Sequence, residues 1–196
     1  MHNNQNTPPP AGQQNFLPTG GGYQNLMAYQ KAEIVYDATC YFTKRFFKKY
    51  DRTIHQMVQA ARSGKQNIAE GSVVSSTSKE MELKLVNVAR ASLEELLVDY
   101  KDFARLNKIE LLDKNDPRIS HIRNLCRIKD GNYAIFKKYI ESDDPDVVVN
   151  TIVTLIYTSQ YLLSRLIKNL ENDFLLNGGL RERMSKARAE VRKNQR

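Results

Sequence analysis

The chain has 196 residues, 41% of them hydrophobic and 27% charged, which is enough apolar material for one domain with a real core. Two cysteines exclude a disulfide-built scaffold, and no segment reads as a membrane span. A formal net charge of +8 points toward acidic partners without naming a chemistry.

The first 22 residues carry no Lys, Arg, Asp or Glu, yet hold four of the six prolines and four of the nine glycines. With little to bury and many breakers, residues 1–22 are expected to form a flexible tail. They lack the basic start and apolar run of a secretory signal. The cytoplasm is therefore the expected compartment, and reduced Cys40 and Cys126 suit it.

Helical spacing begins near Tyr23. A first helix is predicted over Leu26 to Lys49, and Tyr29, Tyr36, Tyr41, Phe42, Phe46, Phe47 and Tyr50 give this region more rings than one core stripe uses. Neighbouring Phe46 and Phe47 point about 100° apart on a helix, so a second contact surface between subunits is expected there. A second helix runs from about Asp51 to Glu70, with Ile54, Met57, Ala61 and Ile68 on one face. Gly71 is expected to stop it in a left-handed conformation. Gly64 inside it costs about 1 kcal/mol relative to alanine, and reads either as a close helix approach or as a bend.

A polar hinge follows from Ser72 to Ser78, with Thr77 and Glu80 at capping-box spacing. The third helix extends to about Leu106 and carries Leu85, Ala89, Leu93, Leu96, Tyr100 and Phe103 as its stripe. Alone, a helix about 40 Å long would leave that stripe wet. Asp116 and Pro117 fit the start of a shorter helix through Ile119, Ile122, Leu125 and Cys126. Asn132 to Ile140 forms another short helix or continues it as a kinked element. Asp144 and Pro145 open the strongest helix, Asp146 to about Phe174, with Val148, Ile152, Leu155, Ile156, Leu162, Leu163, Leu166, Leu170 and Phe174 on a broad face. Gly178 and Gly179 end it. The economical solution is an all-α, antiparallel up-and-down four-helix bundle over residues 23–176, followed by a basic C-terminal suffix over 177–196.

Site chemistry is sparse. The histidines are His2, His55 and His121, with arginine three residues before the last two, so the Glu-x-x-His pairs of a di-iron bundle are missing. Cys40 and Cys126 have no Cys-x-x-Cys partner and read as core thiols rather than zinc ligands. Asp99 and Asp102 read as exposed helical charge rather than a metal pair. No Gly-rich loop precedes a Lys-Ser or Lys-Thr. No metal, cofactor or catalytic residue is expected, and the chain is not expected to be an enzyme.

Basic charge is more informative. Arg181, Arg183, Lys186, Arg188, Arg192, Lys193 and Arg196 are opposed only by Glu182 and Glu190, so residues 181–196 supply +5 of the +8. Lys44, Arg45, Lys48 and Lys49 make a band near exposed rings, and Arg62 and Lys65 add charge on the second helix. Stacking with backbone attraction suits RNA, and attraction alone suits DNA. Solvated charge that keeps the protein soluble explains the suffix equally well.

The stretch QMVQAARSGKQNIAEG, Gln56 to Gly71, resembles the small four-helix-bundle proteins named after reading frames in intervening sequences of bacterial 23S rRNA genes. Gln56, Ala60, Ala61, Ser63 and the run Asn67-Ile68-Ala69-Glu70-Gly71 stand at that family's pattern positions. Leu26, Tyr29, Gln30, Lys31 and Ala32 resemble its opening, with Tyr29 where tryptophan is usual. Ser78, Lys79 and Glu80, then Ala89 to Leu96, resemble its third-helix signature. Phe174 to Arg188 is similar to the extension of a suffix-domain subgroup. Two departures are Val58 and Gln59, where the family commonly has basic residues, and Gly64, where it favours an apolar one.

The resemblance implies a bundle fold and a homo-oligomer. One relative, the accessory protein of a retroelement reverse transcriptase, is a ring-like homopentamer with a basic surface that engages nucleic acid. The expected function is a non-enzymatic homo-oligomeric scaffold or adaptor with a protein partner and no membrane; the alternative is a nucleic-acid-binding accessory protein. The two are compatible, because repeating a weak patch around a symmetry axis raises its effective affinity. Asn67, Glu70 and Gly71 are read as a structural network at the hinge, with a ligand or RNA contact as the other reading.

Overall fold

A computed structural model describes residues 22–194. The predicted tail up to residue 21 and the last two residues, Arg196 among them, lie outside the described residues. After a 3-10 turn at Tyr23–Asn25 come α1 (Met27–Phe46), α2 (Arg52–Val74), α3 (Lys79–Leu106), α4 (Pro117–Cys126), α5 (Tyr133–Ile140), α6 (Pro145–Asn177) and α7 (Leu180–Asn194). All described regular structure is helical. The four long helices form the core in a closed order: α1 packs on α2, α2 on α3, α3 on α6 and α6 on α1. The expectation of a strict four-helix bundle needs correcting, since α4 and α5 add a further layer on α6.

Short polar side chains set the helix starts. Asp51, Ser78, Asp116, Asn132 and Asp144 each accept a hydrogen bond from a first-turn N–H, a contribution of about 1 kcal/mol apiece. The aspartate–proline pairs before α4 and α6 act as predicted, with proline where no N–H is needed. The capping box does not form. Ser78 rather than Thr77 caps α3, which puts Met81 at the third helical position where the box needs a carboxylate. Thr77 instead donates to Val74 O.

Gly71 does not stop α2. The helix continues to Val74, and Gly71 is buried against α3, where an added Cβ would lie 3.4 Å from Glu82 O. Gly64 faces the same partner, and its Cβ would lie 2.8 Å from Leu93 Cδ2. Glycine at position 64 lets the α2 and α3 backbones approach, whereas at position 71, one heptad on, the contact is ordinary. The earlier glycine meets the later leucine, so the two helices run antiparallel.

Part of the ring surplus of α1 packs within the molecule, while Tyr50 stays exposed. Phe42, fully buried, lies with its centroid 4.8 Å from those of Phe46, Tyr100 and Phe103 and 6.0 Å from Phe47. α1 ends at Phe46, and the extended backbone of Phe47 folds its ring back onto Phe103 at 5.5 Å. Phe46 and Phe47, both half-buried, thereby join one aromatic cluster linking α1 to α3. By length and composition an 18-residue window beginning in α6 would pass as a membrane span, but 61% of it is buried inside the fold. Val148, Ile152, Leu155, Ile156 and Leu163 of α6 are wholly buried there.

Candidate nucleic-acid interface

Charge on this fold is sorted by element. Along α1, Glu33 and Asp37 border a cleft of about 400 Å³ shared with Gln30, Asp130 and Asn132. Burial and then the Glu33 carboxylate hold the Asp37 carboxyl above its ordinary value, and this face repels phosphate.

The predicted α1 band divides. Lys44 is exposed in the last helical turn, where a cation complements the helix dipole, and Lys48 and Lys49 are exposed beyond it. Lys49 Nζ stands 5.2 Å from the Tyr50 ring centroid. Arg45 is committed elsewhere. Its guanidinium donates to Ser142 O at 2.6 Å and pairs with Asp143 at 3.2 Å, clamping α1 to the turn between α5 and α6.

Arg62 and Lys65 of α2 stand beside Tyr36 of α1, with Lys65 Nζ 4.6 Å from the ring centroid. Burial pushes the Cys40 thiol up, while Lys44 and Lys65 pull it back, so both ammonium groups share this patch. Cys126, by contrast, is a core thiol at 2% exposure.

The Asn67–Glu70–Gly71 trio also divides. Asn67 donates to Ser63 O and Oγ at 2.9 and 3.1 Å, and Ser63 Oγ lies 2.9 Å from Ser92 Oγ on α3. Asn67 and Gly71 therefore secure the α2–α3 seam. Glu70 is exposed, with no hydrogen-bond or ion-pair partner among the described residues.

The suffix becomes α7, separated from α6 by Gly178 at φ 69°. Arg181, Lys186, Arg188, Arg192 and Lys193 are exposed. Arg183 ties the first turn back to Asp173 of α6 at 3.0 Å. Beyond that anchor, α7 makes no extended packing with another helix among the described residues. A 15-residue helix held at one end presents its charge on nearly every side.

One surface escaped the sequence reading. Tyr157, Tyr161, Arg165 and Lys168 follow one another at steps of four, four and three along α6, and all are exposed. Lys101 of α3 lies 5.5 Å from the Tyr157 ring centroid. Two rings at 50% and 61% exposure, flanked by three cations, can stack bases and attract phosphates. The signal was legible as helical spacing on the face opposite Leu155 and Leu163, but the apolar face dominated it. No protein-family model, no curated protein and no solved structure matches this chain.

Proposed function

We propose that this chain is a non-enzymatic helical-bundle protein, antiparallel and up-and-down in its core, that binds the backbone of RNA or DNA through α7. The exposed charge of α7, anchored to α6 by the Arg183–Asp173 ion pair, carries this reading. Charge so placed gains energy from counterion release when it meets phosphate. The Lys44–Arg62–Lys65 patch and the Tyr157–Tyr161 stripe extend the contact area.

The test is binding of labelled RNA and DNA 20-mers at two salt concentrations, for the native chain and for one with Arg181, Lys186, Arg188 and Arg192 changed to Gln. The native protein should bind at low salt with a steep salt dependence. The substituted chain should bind more weakly, its slope shallower by about 0.7 per lost contact on single strands. Absent binding at low salt, or an unchanged slope, defeats the reading.

A second reading, the homo-oligomeric scaffold, is favoured by Leu175 and Leu176 at the end of α6, each 80% exposed. Burying them between copies is favourable at about 25 cal/mol per Å² of apolar surface. The family resemblance supports a ring of five. Light scattering that finds a monomer at micromolar concentration removes this reading and leaves the first standing.

A further inference from the structure

A second cleft lies apart from the basic surfaces. α4 and α5 are ten and eight residues long, and each packs on α6 without packing extensively on the other. A gap therefore opens between them above the first turns of α6, enclosing about 510 Å³. Ligand pockets typically run from about 300 to 1,000 Å³.

The lining is apolar where Leu112, Ile119, Ile122 and Val147 meet. Set among them is Thr151, 2% exposed, whose hydroxyl makes no hydrogen bond among the described residues. Further along α6, Thr154, Thr158 and Ser159 each donate to the carbonyl four residues back. That acceptor is always within reach of a helical hydroxyl. Thr151 leaves it unused and lines the cleft instead. The hydroxyl oxygen is not sealed off from the cleft, so a ligand there can bond to it.

At the mouth, His121 Nε2 and Tyr139 Oη are 2.7 Å apart and link α4 to α5. Carboxylates outnumber cations around them: Glu110, Asp116, Asp144 and Asp146 stand against Arg118 and Lys138. Arg118 is gripped by both Asp116 oxygens at 3.0 and 2.8 Å, and Lys138 lies 4.8 Å from the Tyr139 ring centroid. The Nε–Nη2 edge of Arg118 is thus taken by Asp116, and carboxylates carry the balance of charge at the mouth.

We propose that this cleft binds a small amphipathic amine: an aromatic body with a protonated amine at one end and a hydroxyl at the other. The ring packs on Ile119, Ile122 and Val147, the ammonium meets Asp146 and Glu110, and the far hydroxyl completes the hydrogen bonding of Thr151. This site is independent of nucleic-acid binding.

Tyramine, phenethylamine and 4-hydroxyphenylacetate, titrated into the full chain and followed by calorimetry and by NMR shifts of Ile119, Ile122 and Thr151, test it. Tyramine should bind at the cleft, with phenethylamine about threefold to tenfold weaker and the anion weaker still. Thr151→Val should bring tyramine down to the phenethylamine level without changing phenethylamine. Asp146→Asn, at an exposed position, should weaken both amines and keeps the test decisive if Thr151→Val does not fold. The proposal is overturned if neither amine shifts those residues at millimolar concentration. It is equally overturned if the anion matches the amines, or if both variants bind tyramine as the native chain does.

Discussion

Gly64 and Leu93 meet so closely that a methyl group on the glycine would stand 2.8 Å from Leu93 Cδ2, and Leu93 is wholly buried. Gly71, one heptad on, leaves 3.4 Å or more to its neighbours. The two glycines of α2 should therefore respond oppositely to alanine. Gly64→Ala should destabilise by about 1–3 kcal/mol through overpacking. Gly71→Ala should be neutral or gain up to about 1 kcal/mol from helix propensity. Urea melts of both variants decide it, and equal losses would contradict this account of the seam.

Tyr100 and Thr39 make a second test of the core. The Tyr100 hydroxyl donates to Thr39 Oγ1 at 3.2 Å, and both residues are fully buried. Tyr100→Phe removes the donor and should cost about 1 kcal/mol. Thr39→Val leaves the phenol without an acceptor and should cost about 1–3 kcal/mol. The double variant should cost less than the sum of the two in denaturant melts, because the orphaned hydroxyl is gone.

Lys31 is wholly buried, with its ammonium donating to Ile128 O at 3.3 Å. Burial lowers its pKa, opposed by Cys126 and Asp130. Below the folded value both states are protonated, and the buried charge costs stability in full. Between that value and the ordinary 10.5 the unfolded chain binds more protons, so stability rises with pH. Lys31→Met should flatten this rise and stabilise the protein at neutral pH by about 1–3 kcal/mol.

Tyr29 has the opposite sign. Burial and then Glu33 push its hydroxyl up to about 12 from 10.0. Its contribution is complete below pH 10 and lost as pH rises through about 12. Melting temperatures of the native chain, Lys31→Met and Tyr29→Phe from pH 7 to 12 separate the two effects.

The α6 stripe predicts a preference for unpaired bases. Tyr157→Ala and Tyr161→Ala should each weaken single-stranded binding by about 1–3 kcal/mol while leaving duplex binding nearly unchanged. An equal loss on both substrates would mean that the rings do not stack on bases.

Helix existence was legible because each long helix repeats apolar residues at helical spacing, and Asp116-Pro117 and Asp144-Pro145 mark their starts locally. Helix ends were less so. Gly71 carries the signature of a stop, yet α3 lies across it and the backbone stays helical. Of the candidate phosphate contacts, α7 was readable from charge density alone. Arg45 was not, because its partners Ser142 and Asp143 lie almost a hundred residues along the chain.

By itself, the sequence determined a helical chain with a buried face on each long helix and a cationic terminus, since periodicity and net charge are local properties. Only the tertiary structure decided where the α1 rings go, which arginine is a clamp, and that a cleft opens between α4 and α5. Those outcomes depend on which helices lie side by side. Neighbours distant in the chain compete for the same side chain, and the closest packing partner wins.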